Sequence, residues 1–527
     1  MSDSERITIP AETTVAVLAL LVGIVTLNYL PVGGFYDDGL YAILAKSLAT
    51  GQGYRFLNLP GAPAAVHYPP GYPMLLALFW KLAPSFPANL VWLKLINVVL
   101  LAVIAWEACR YAVRVLLLSP WVAVLATLLG TMTIPILALN NMLLSEPFFL
   151  TLLIPALILG EEMARHRPSR REALWLGFLS GAVVLVRSVG VMLIVAVAAV
   201  WLARRAWRAA AWYLGASLLV WSPWLLWSSL HAQDVPPLLQ GSYGGYAGWF
   251  MGGVRAGGLP FVIATVRVNA TRLAAGVTTS FQALGSNAGA WIALIAVLLA
   301  LGGGAWRVRR RAPVTLLFLA LYFALVLAWP DQPLRFAWGV WPLLMALLVV
   351  PLEALQHPET ARPVRAVVAA AALVLAAGAA RYNARGYANA WWESIPRGMT
   401  GRAERAIEWA RLHTRRGAVI AGESEPMLYL YAQREAVPVE TFTALQYLRP
   451  RTTAQNADDL RQILQFSSAR YVLVRSPGEL DAARALAATP GAAPALSLVD
   501  SAGGLFVFAV KTAPPPVSPP NDSAAGR

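Results

Sequence analysis

FYDDGLYAILAKSLATGQGYRFLNLPGAPAAVHYPPGYP, Phe35 to Pro73, follows an apolar N-terminal run, and its reading governs the rest of the chain. Adjacent carboxylates, Asp37 and Asp38, open a short helical pattern. Leu40, Ile43, Leu44 and Leu48 fall on one face of it, and Asp38, Ala42, Ala45 and Ala49 on another. Gly51 and Gly53 stop that helix. His67-Tyr68-Pro69-Pro70-Gly71 is a stiff extended turn leading into a new apolar run at Tyr72. An Asp at a helix start accepts bonds from free N–H groups and complements the helix dipole. One Asp is enough for that. A second beside membrane spans, where charge is costly, points to chemistry, and at this stage both readings stand.

Composition decides the setting. The chain has 527 residues, 58% hydrophobic and 13% charged, with mean hydropathy +0.58. Soluble domains carry about 25% charged residues, so this is an integral membrane protein. The formal net charge of +15 does not imply nucleic-acid binding, because the basic residues lie in short clusters between apolar runs. The single cysteine, Cys109, excludes an intramolecular disulfide and reads as a small core residue. No Cys/His cluster has zinc spacing, and neither a Walker loop nor a dinucleotide glycine motif is present.

Apolar runs at 14–30, 88–109, 120–139, 143–163, 172–186, 189–203, 210–230, 287–306, 313–329, 335–354 and 363–380 predict about eleven spans. The first lacks a small-residue cleavage site and is expected to be a retained anchor. Run 72–83 is too short to cross and predicts a half-embedded helix. With a cytoplasmic N-terminus, the inner loops hold Arg110 and Arg114; Arg165, Arg167, Arg170 and Arg171; Arg204, Arg205 and Arg208; Arg307, Arg309, Arg310 and Arg311; and Arg362 and Arg365. The outer loops hold little beyond Lys46, Arg55, Arg187 and Arg335. That asymmetry fixes the expected topology. The first outer loop (31–71), a long outer loop (231–286) and everything after about residue 381 then face the periplasm or outside.

Loop 231–286 is rich in glycine and aromatics (GSYGGYAGWFMGG, 241–253), and an interfacial helix is expected around Pro260–Ala275, with Val262, Val266 and Leu273 apolar and Arg267 and Arg272 polar. From residue 382 the composition turns soluble. An amphipathic helix at Arg402–Arg415, with Ala406, Ile407, Ala410 and Leu412 buried, is expected there. A helix at Asp458–Phe466 and strands at Gly417–Ala421, Arg470–Arg475 and Gly503–Val510 complete a small α/β domain, 382–510. The Pro- and Ser-rich segment 511–527 predicts a disordered tail.

Few polar residues lie near the outer face. Ser145 and Pro147 are ordinary helix-start grammar, and Glu146 in the first turn complements the dipole or does chemistry. Arg187 interrupts an apolar stretch against the charge bias. Arg335, in RFAWGVWP after Trp329-Pro330-Asp331, can pair with Asp331, reach the interface, or hold an anionic phosphate with its fork of donors. The Pro-Pro turn fixes His67 on the same side as the Asp pair.

The order D-D-x-x-Y-x-x-x-A-x-x-L-x-x-G at 37–51, PPGYP at 69–73, LLSEPFF at 143–149 and a late LRF…WP at 334–342 resembles the GT-C glycosyltransferases. Within them it looks most like the protein O-mannosyltransferase and aminoarabinose-transferase group. The resemblance spans residues 10–355 in layout, with its specific motif in 36–73. It implies a transmembrane catalytic domain, 1–381, in a bacterial inner membrane, crossed many times. It implies an inverting transfer of a hexosyl or pentosyl group from a polyprenyl-phosphate sugar donor to a glycan, lipid or protein acceptor at the periplasmic face. Membrane lipids are the other expected partner, and nucleic acid is not one. Asp37 and Asp38 occupy the position of the family's acidic pair and are the expected catalytic residues. The family's late arginine matches Arg335. Some relatives have a lysine before the Pro-Pro that contacts the carrier phosphate, where this chain has His67 and Tyr68. Arg335, Arg187, His67, Tyr68 and Glu146 make up the expected substrate and carrier-phosphate set. No cofactor is required, although Asp37, Asp38 and His67 are ligand types that a divalent metal accepts. Two other classes fit part of the pattern: a flippase for lipid-linked glycans, which predicts repeats and mid-membrane charge that the sequence lacks, and a non-catalytic assembly protein in which the Asp pair only caps a helix.

Overall fold

The computed structural model describes residues 10–491 and 493–511. The expected tail lies outside the described residues, apart from Lys511, which ends the last strand. All eleven apolar runs are largely helical. Among the described residues six helices are long and apolar enough to cross a bilayer: Leu90–Arg114, Glu146–Ala164, Trp207–Leu230, Tyr246–Phe281, Asn287–Val308 and Arg362–Ala388. The bent pair Pro120–Thr131 and Ile134–Asn140 makes a seventh if it is one span. Ala11–Thr26, Ser188–Ala203, Pro313–Ala328 and Trp341–Leu355 are shorter apolar helices.

Two expected spans are broken. The run 120–139 bends by 52° where Thr133 turns extended, and Pro135, lacking an N–H, starts the next helix. The run 335–354 is a stub, Pro333–Trp338, then Trp341–Val349 restarted at Pro342, then a tighter turn Val350–Leu355. Arg335 therefore rides on a separate short helix.

The loops segregate to two ends. At one, Arg165 and Arg311 donate to the Val115 and Leu116 carbonyls, each at 3.4 Å, and Glu353 accepts from the Ser119 amide and hydroxyl, both at 2.8 Å. The other end gathers Asp37, Ser145, Arg187 and Arg335. Helix Tyr246–Phe281, broken at Gly258 (φ 62°), starts and finishes at this second end. Trp249 donates to the Phe442 carbonyl of the C-terminal domain at 3.2 Å. Past the helix's far end, Arg381 holds the Gln282 and Ala283 carbonyls at 3.2 and 3.0 Å. Midway, Asn269 donates to the Val326, Leu327 and Trp329 carbonyls at 3.0, 3.0 and 2.7 Å, satisfying the open carbonyls that end helix Pro313–Ala328. The helix thus lies across other helix ends. Phe261, Thr265 and Asn269 are its buried residues over this stretch.

Helix Asp37–Ala49 also departs from expectation. Instead of one apolar face, every residue from Asp38 to Ala45 is buried, because helix Gly71–Leu82 and the C-terminal domain enclose it. Full burial of Leu40, Ile43 and Leu44 contributes about 1.5–3 kcal/mol each.

The C-terminal domain is a five-stranded mixed sheet, β1 Val419–Gly422, β2 Glu435–Val437, β3 Tyr471–Val474, β4 Ala495–Asp500 and β5 Phe506–Lys511. The order is β2-β1-β3-β5-β4, with β1 parallel to β2 and β3, and β5 antiparallel to β3 and β4. Helices Ser394–His413, Thr453–Ser467 and Pro477–Ala487 accompany it. The expected helix is present, but Leu412 is 72% exposed, and Trp409, stacked on His413, holds the buried position instead. The 382 boundary falls inside helix Arg362–Ala388, which carries the chain straight into the domain.

Candidate active site

The approach to Asp37 is strained. Tyr36 has φ 69° and ψ −71°, and the Asp37 amide donates back to the Phe35 carbonyl at 2.9 Å. This is a γ-turn of the rare hand at a residue with a side chain. Such a conformation costs about 1–3 kcal/mol and persists only where the surroundings over-determine it. It turns the Asp37 side chain outward while Asp38 faces the protein.

Asp37 meets two partners. Arg335 Nη1 donates to Oδ2 at 2.5 Å, and the Tyr68 hydroxyl donates to Oδ1 at 2.6 Å. Burial alone would raise the Asp37 pKa, but the Arg335 guanidinium, then Tyr68 and His67, outweigh burial and hold it below the ordinary carboxylate value. Asp38 is 1% exposed, and its Oδ1 accepts from the Gly33 and Gly39 amides at 3.0 and 2.9 Å. Burial, with the nearby Asp37 charge, pushes Asp38 up to about 6 despite those amides and Lys94. The two carboxylates therefore stand in different environments: Asp37 on the cavity wall, Asp38 inside the turn.

Behind Asp37, Glu146 is fully buried, and its Oε1 takes Arg335 Nε at 2.8 Å and Arg187 Nη1 at 2.9 Å. Its Oε2 has no partner among the described residues. Ser145, expected only as a helix cap, makes no cap bond. Its hydroxyl joins Tyr41 and Arg187 at 2.9 Å each. Asp37, Arg335, Glu146 and Arg187 thus form an alternating chain of charge. Arg335 does not pair with Asp331, whose Oδ1 accepts the Gln332 amide at 2.6 Å. The His67 Nδ1 lies 2.5 Å from the Gly244 carbonyl, which fixes a proton on that nitrogen. Burial lowers the His67 pKa against the pull of Gly244 and Asp37. It packs against Tyr68 and Tyr246.

Two cavities meet at Asp37. One, of about 230 Å³, is lined by Arg187 and Arg335 and by apolar Val186, Val189, Leu325 and Phe336. The other, of about 460 Å³, lies between the helical part and the C-terminal domain, with Glu423, Glu425, Glu440 and Arg475 on its far wall. Asp37, His67, Tyr246, Trp329 and Asp331 belong to both. Glu146 borders neither and acts only through the two arginines.

No ready-made divalent-metal site stands among the described residues. Both Asp37 oxygens are taken by Arg335 and Tyr68, and among the described residues no three His, Cys, Asp or Glu side chains converge. Sequence reasoning missed Tyr246, whose signal was only an aromatic-rich loop, and Trp329, which read as the end of an apolar run. It also missed the carboxylates of the far wall, since Glu425 and Glu440 belong to no motif.

No family model matches the chain, and no curated protein does. Among solved structures, it is similar to the oligosaccharyltransferase of Archaeoglobus fulgidus tethered with an acceptor peptide containing the NVT sequon. The TM-score is 0.50 at 13% identity, covering 94% of this chain and 74% of that one. The same enzyme in complex with Zn and sulfate matches at TM-score 0.50 and 13% identity, over 94% and 73%. Its apo form matches at 0.50 and 12%, over 90% and 71%. At such identity the likeness is one of fold. It does not single out the O-mannosyl- and aminoarabinose-transferase group, and the apolar helices suit a multi-pass membrane protein.

Proposed function

We propose that this chain is an inverting glycosyltransferase that takes a sugar from a polyprenyl-phosphate carrier and passes it to a cell-envelope acceptor at the outer membrane face. The observation that carries this reading is the position of Asp37, at the junction of an arginine-bearing, apolar-walled cavity and a cavity roofed by the C-terminal domain. The first suits a phosphate on an apolar tail, with Arg335 and Arg187 beside the phosphate oxygens. The second suits an acceptor hydroxyl.

In the reaction the acceptor oxygen bonds to the anomeric carbon as the carbon–oxygen bond to phosphate breaks. The hydroxyl proton passes to Asp37, and the electron pair leaves on the polyprenyl phosphate, whose charge the two arginines stabilise. Asp37 held by Arg335 is a weak base. An arriving donor phosphate competes for that guanidinium and frees the carboxylate, which predicts that donor binds before acceptor. Asp38 fixes the turn by holding the Gly33 and Gly39 amides. No step is routed through a metal. The gathering of arginine-bearing loops at the opposite end supports a cytoplasmic N-terminus and an outward C-terminal domain.

The test is transfer by the purified protein from a synthetic polyprenyl-phosphate sugar to envelope glycolipid, glycan and protein acceptors, with the product's anomeric configuration read by NMR. Inversion is expected. Retention, or lipid movement without transfer, contradicts the reading.

A further inference from the structure

The strained turn that aims Asp37 is held from outside the helical part. A Cβ on Gly33 (φ 105°) would stand 2.7 Å from Met427 Cγ, one on Gly34 2.8 Å from Met399 Cβ, and one on Gly39 2.7 Å from Pro426 Cβ. The C-terminal domain is thus pressed against the backbone on both sides of Tyr36. Polar bonds reinforce the contact. The Val32 amide donates to the Tyr431 hydroxyl at 2.9 Å, and Lys46 Nζ donates to Tyr429 at 3.2 Å. Glu425, 1% exposed, accepts from the Tyr243 hydroxyl at 3.0 Å, and the Tyr243 ring packs edge-on against Tyr36. Tyr243 in turn accepts from Asn58 at 2.8 Å, while the Ala436 amide of β2 donates to the Asn58 carbonyl at 2.7 Å. Every domain residue in this contact except Met399 and Ala436 lies within Glu425–Tyr431, which winds partly as a wide π-type turn, Leu428–Ala432. Such turns are rare and frequent at functional sites.

We infer that segment 425–431 of the C-terminal domain is a positioning element for Asp37: it keeps the γ-turn at Tyr36 in its unfavourable conformation, and without it the turn relaxes and Asp37 leaves the cavity junction. The role assigned to Asp37 rests on the transferase reading above, but the hold on the turn does not. The C-terminal domain is on this account part of the catalytic apparatus. The elements packed on the turn explain why Gly33, Gly34 and Gly39 carry no side chains.

The experiment uses the full chain in detergent or nanodiscs, comparing wild type with Glu425→Ala/Tyr431→Phe, which removes two polar anchors and leaves the Met427 and Pro426 packing. Amide hydrogen exchange across residues 33–39 should accelerate by about ten- to a hundredfold, with exchange in β1, β3 and helix Leu90–Arg114 unchanged. Sugar turnover should fall by a similar factor with the donor KM unchanged. Glu425→Gln, which still accepts from Tyr243, should restore both when paired with native Tyr431. Unchanged exchange at 33–39, or equal acceleration in β1 and β3, overturns the inference. Accelerated exchange at 33–39 in a protein that shows no transfer even as wild type upholds the hold on the turn and retires the transferase reading.

Discussion

The same side chain serves opposite purposes at the two ends of the helical part. At one end Arg165, Arg204, Arg309 and Arg311 are exposed and rest on backbone carbonyls or aromatic rings. At the other, Arg187 and Arg335 retain 12% and 17% side-chain exposure and are locked to Glu146 and Asp37. Exposed arginines keep their hydration and contribute little individually. Withdrawn ones lose it, and only a matched carboxylate compensates. The first set follows a membrane-orientation pattern. The second is a charge arrangement whose exposed edge faces a cavity, where, on the proposed reading, an incoming phosphate would replace one carboxylate.

That contrast can be broken most severely at Glu146. Glu146→Ala leaves Arg187 without a carboxylate and Arg335 with Asp37 alone, an expected loss of about 3–5 kcal/mol. It should be read as a lowered unfolding midpoint in detergent, or as loss of folded protein on expression. A stable, active Glu146→Ala protein would mean the arginines are hydrated like those at the far end.

A smaller effect is expected at Arg335. Arg335→Ala removes charge-assisted bonds worth about 1.5–3 kcal/mol to a phosphate, so donor affinity should fall by about ten- to a hundredfold. Arg335→Lys should recover part of it, because an ammonium lacks the fork. Arg309→Ala, the far-end counterpart, should leave affinity unchanged. The pH profile carries a second signature. Arg335 depresses the Asp37 pKa, so the pair's contribution to stability, present above the ordinary carboxylate value, is lost as pH falls through the depressed one. Removing Arg335 should move the acidic limb of the rate profile to higher pH. Unchanged affinity and an unmoved limb would reduce the pair to packing.

The arginine clusters were legible because a rule about loops reads them without knowing any contact. Asp37, His67, Tyr68 and Arg335 were legible as residues, since each sits in a short motif, but their convergence was not: Asp37 and Arg335 are separated by 298 positions. The broken spans at 132–133 and 339–340 escaped a hydropathy reading that averages across a proline. Helix Asp37–Ala49 was read with its leucines on one face and its alanines on another, whereas helix Gly71–Leu82 and the C-terminal domain together bury most of both. Strands β2 and β4 are short or half-exposed, too weak in pattern to stand out. Glu425 was invisible in principle, as its meaning comes from Tyr243 and from a turn almost four hundred residues earlier.

The most direct test of the account is turnover from a defined polyprenyl-phosphate sugar by Asp37→Asn and Asp38→Asn proteins, with folding and donor binding checked in both. Asn at 37 keeps the size of the side chain and removes the basic site, so turnover should drop by about a hundred- to ten-thousandfold. Asn at 38 still offers an oxygen to the Gly33 and Gly39 amides, and its turnover should stay within about tenfold of wild type. A silent Asp38→Asn protein beside an active Asp37→Asn protein, or normal turnover in both, would contradict the assignment of Asp37 as the carboxylate that takes the acceptor proton.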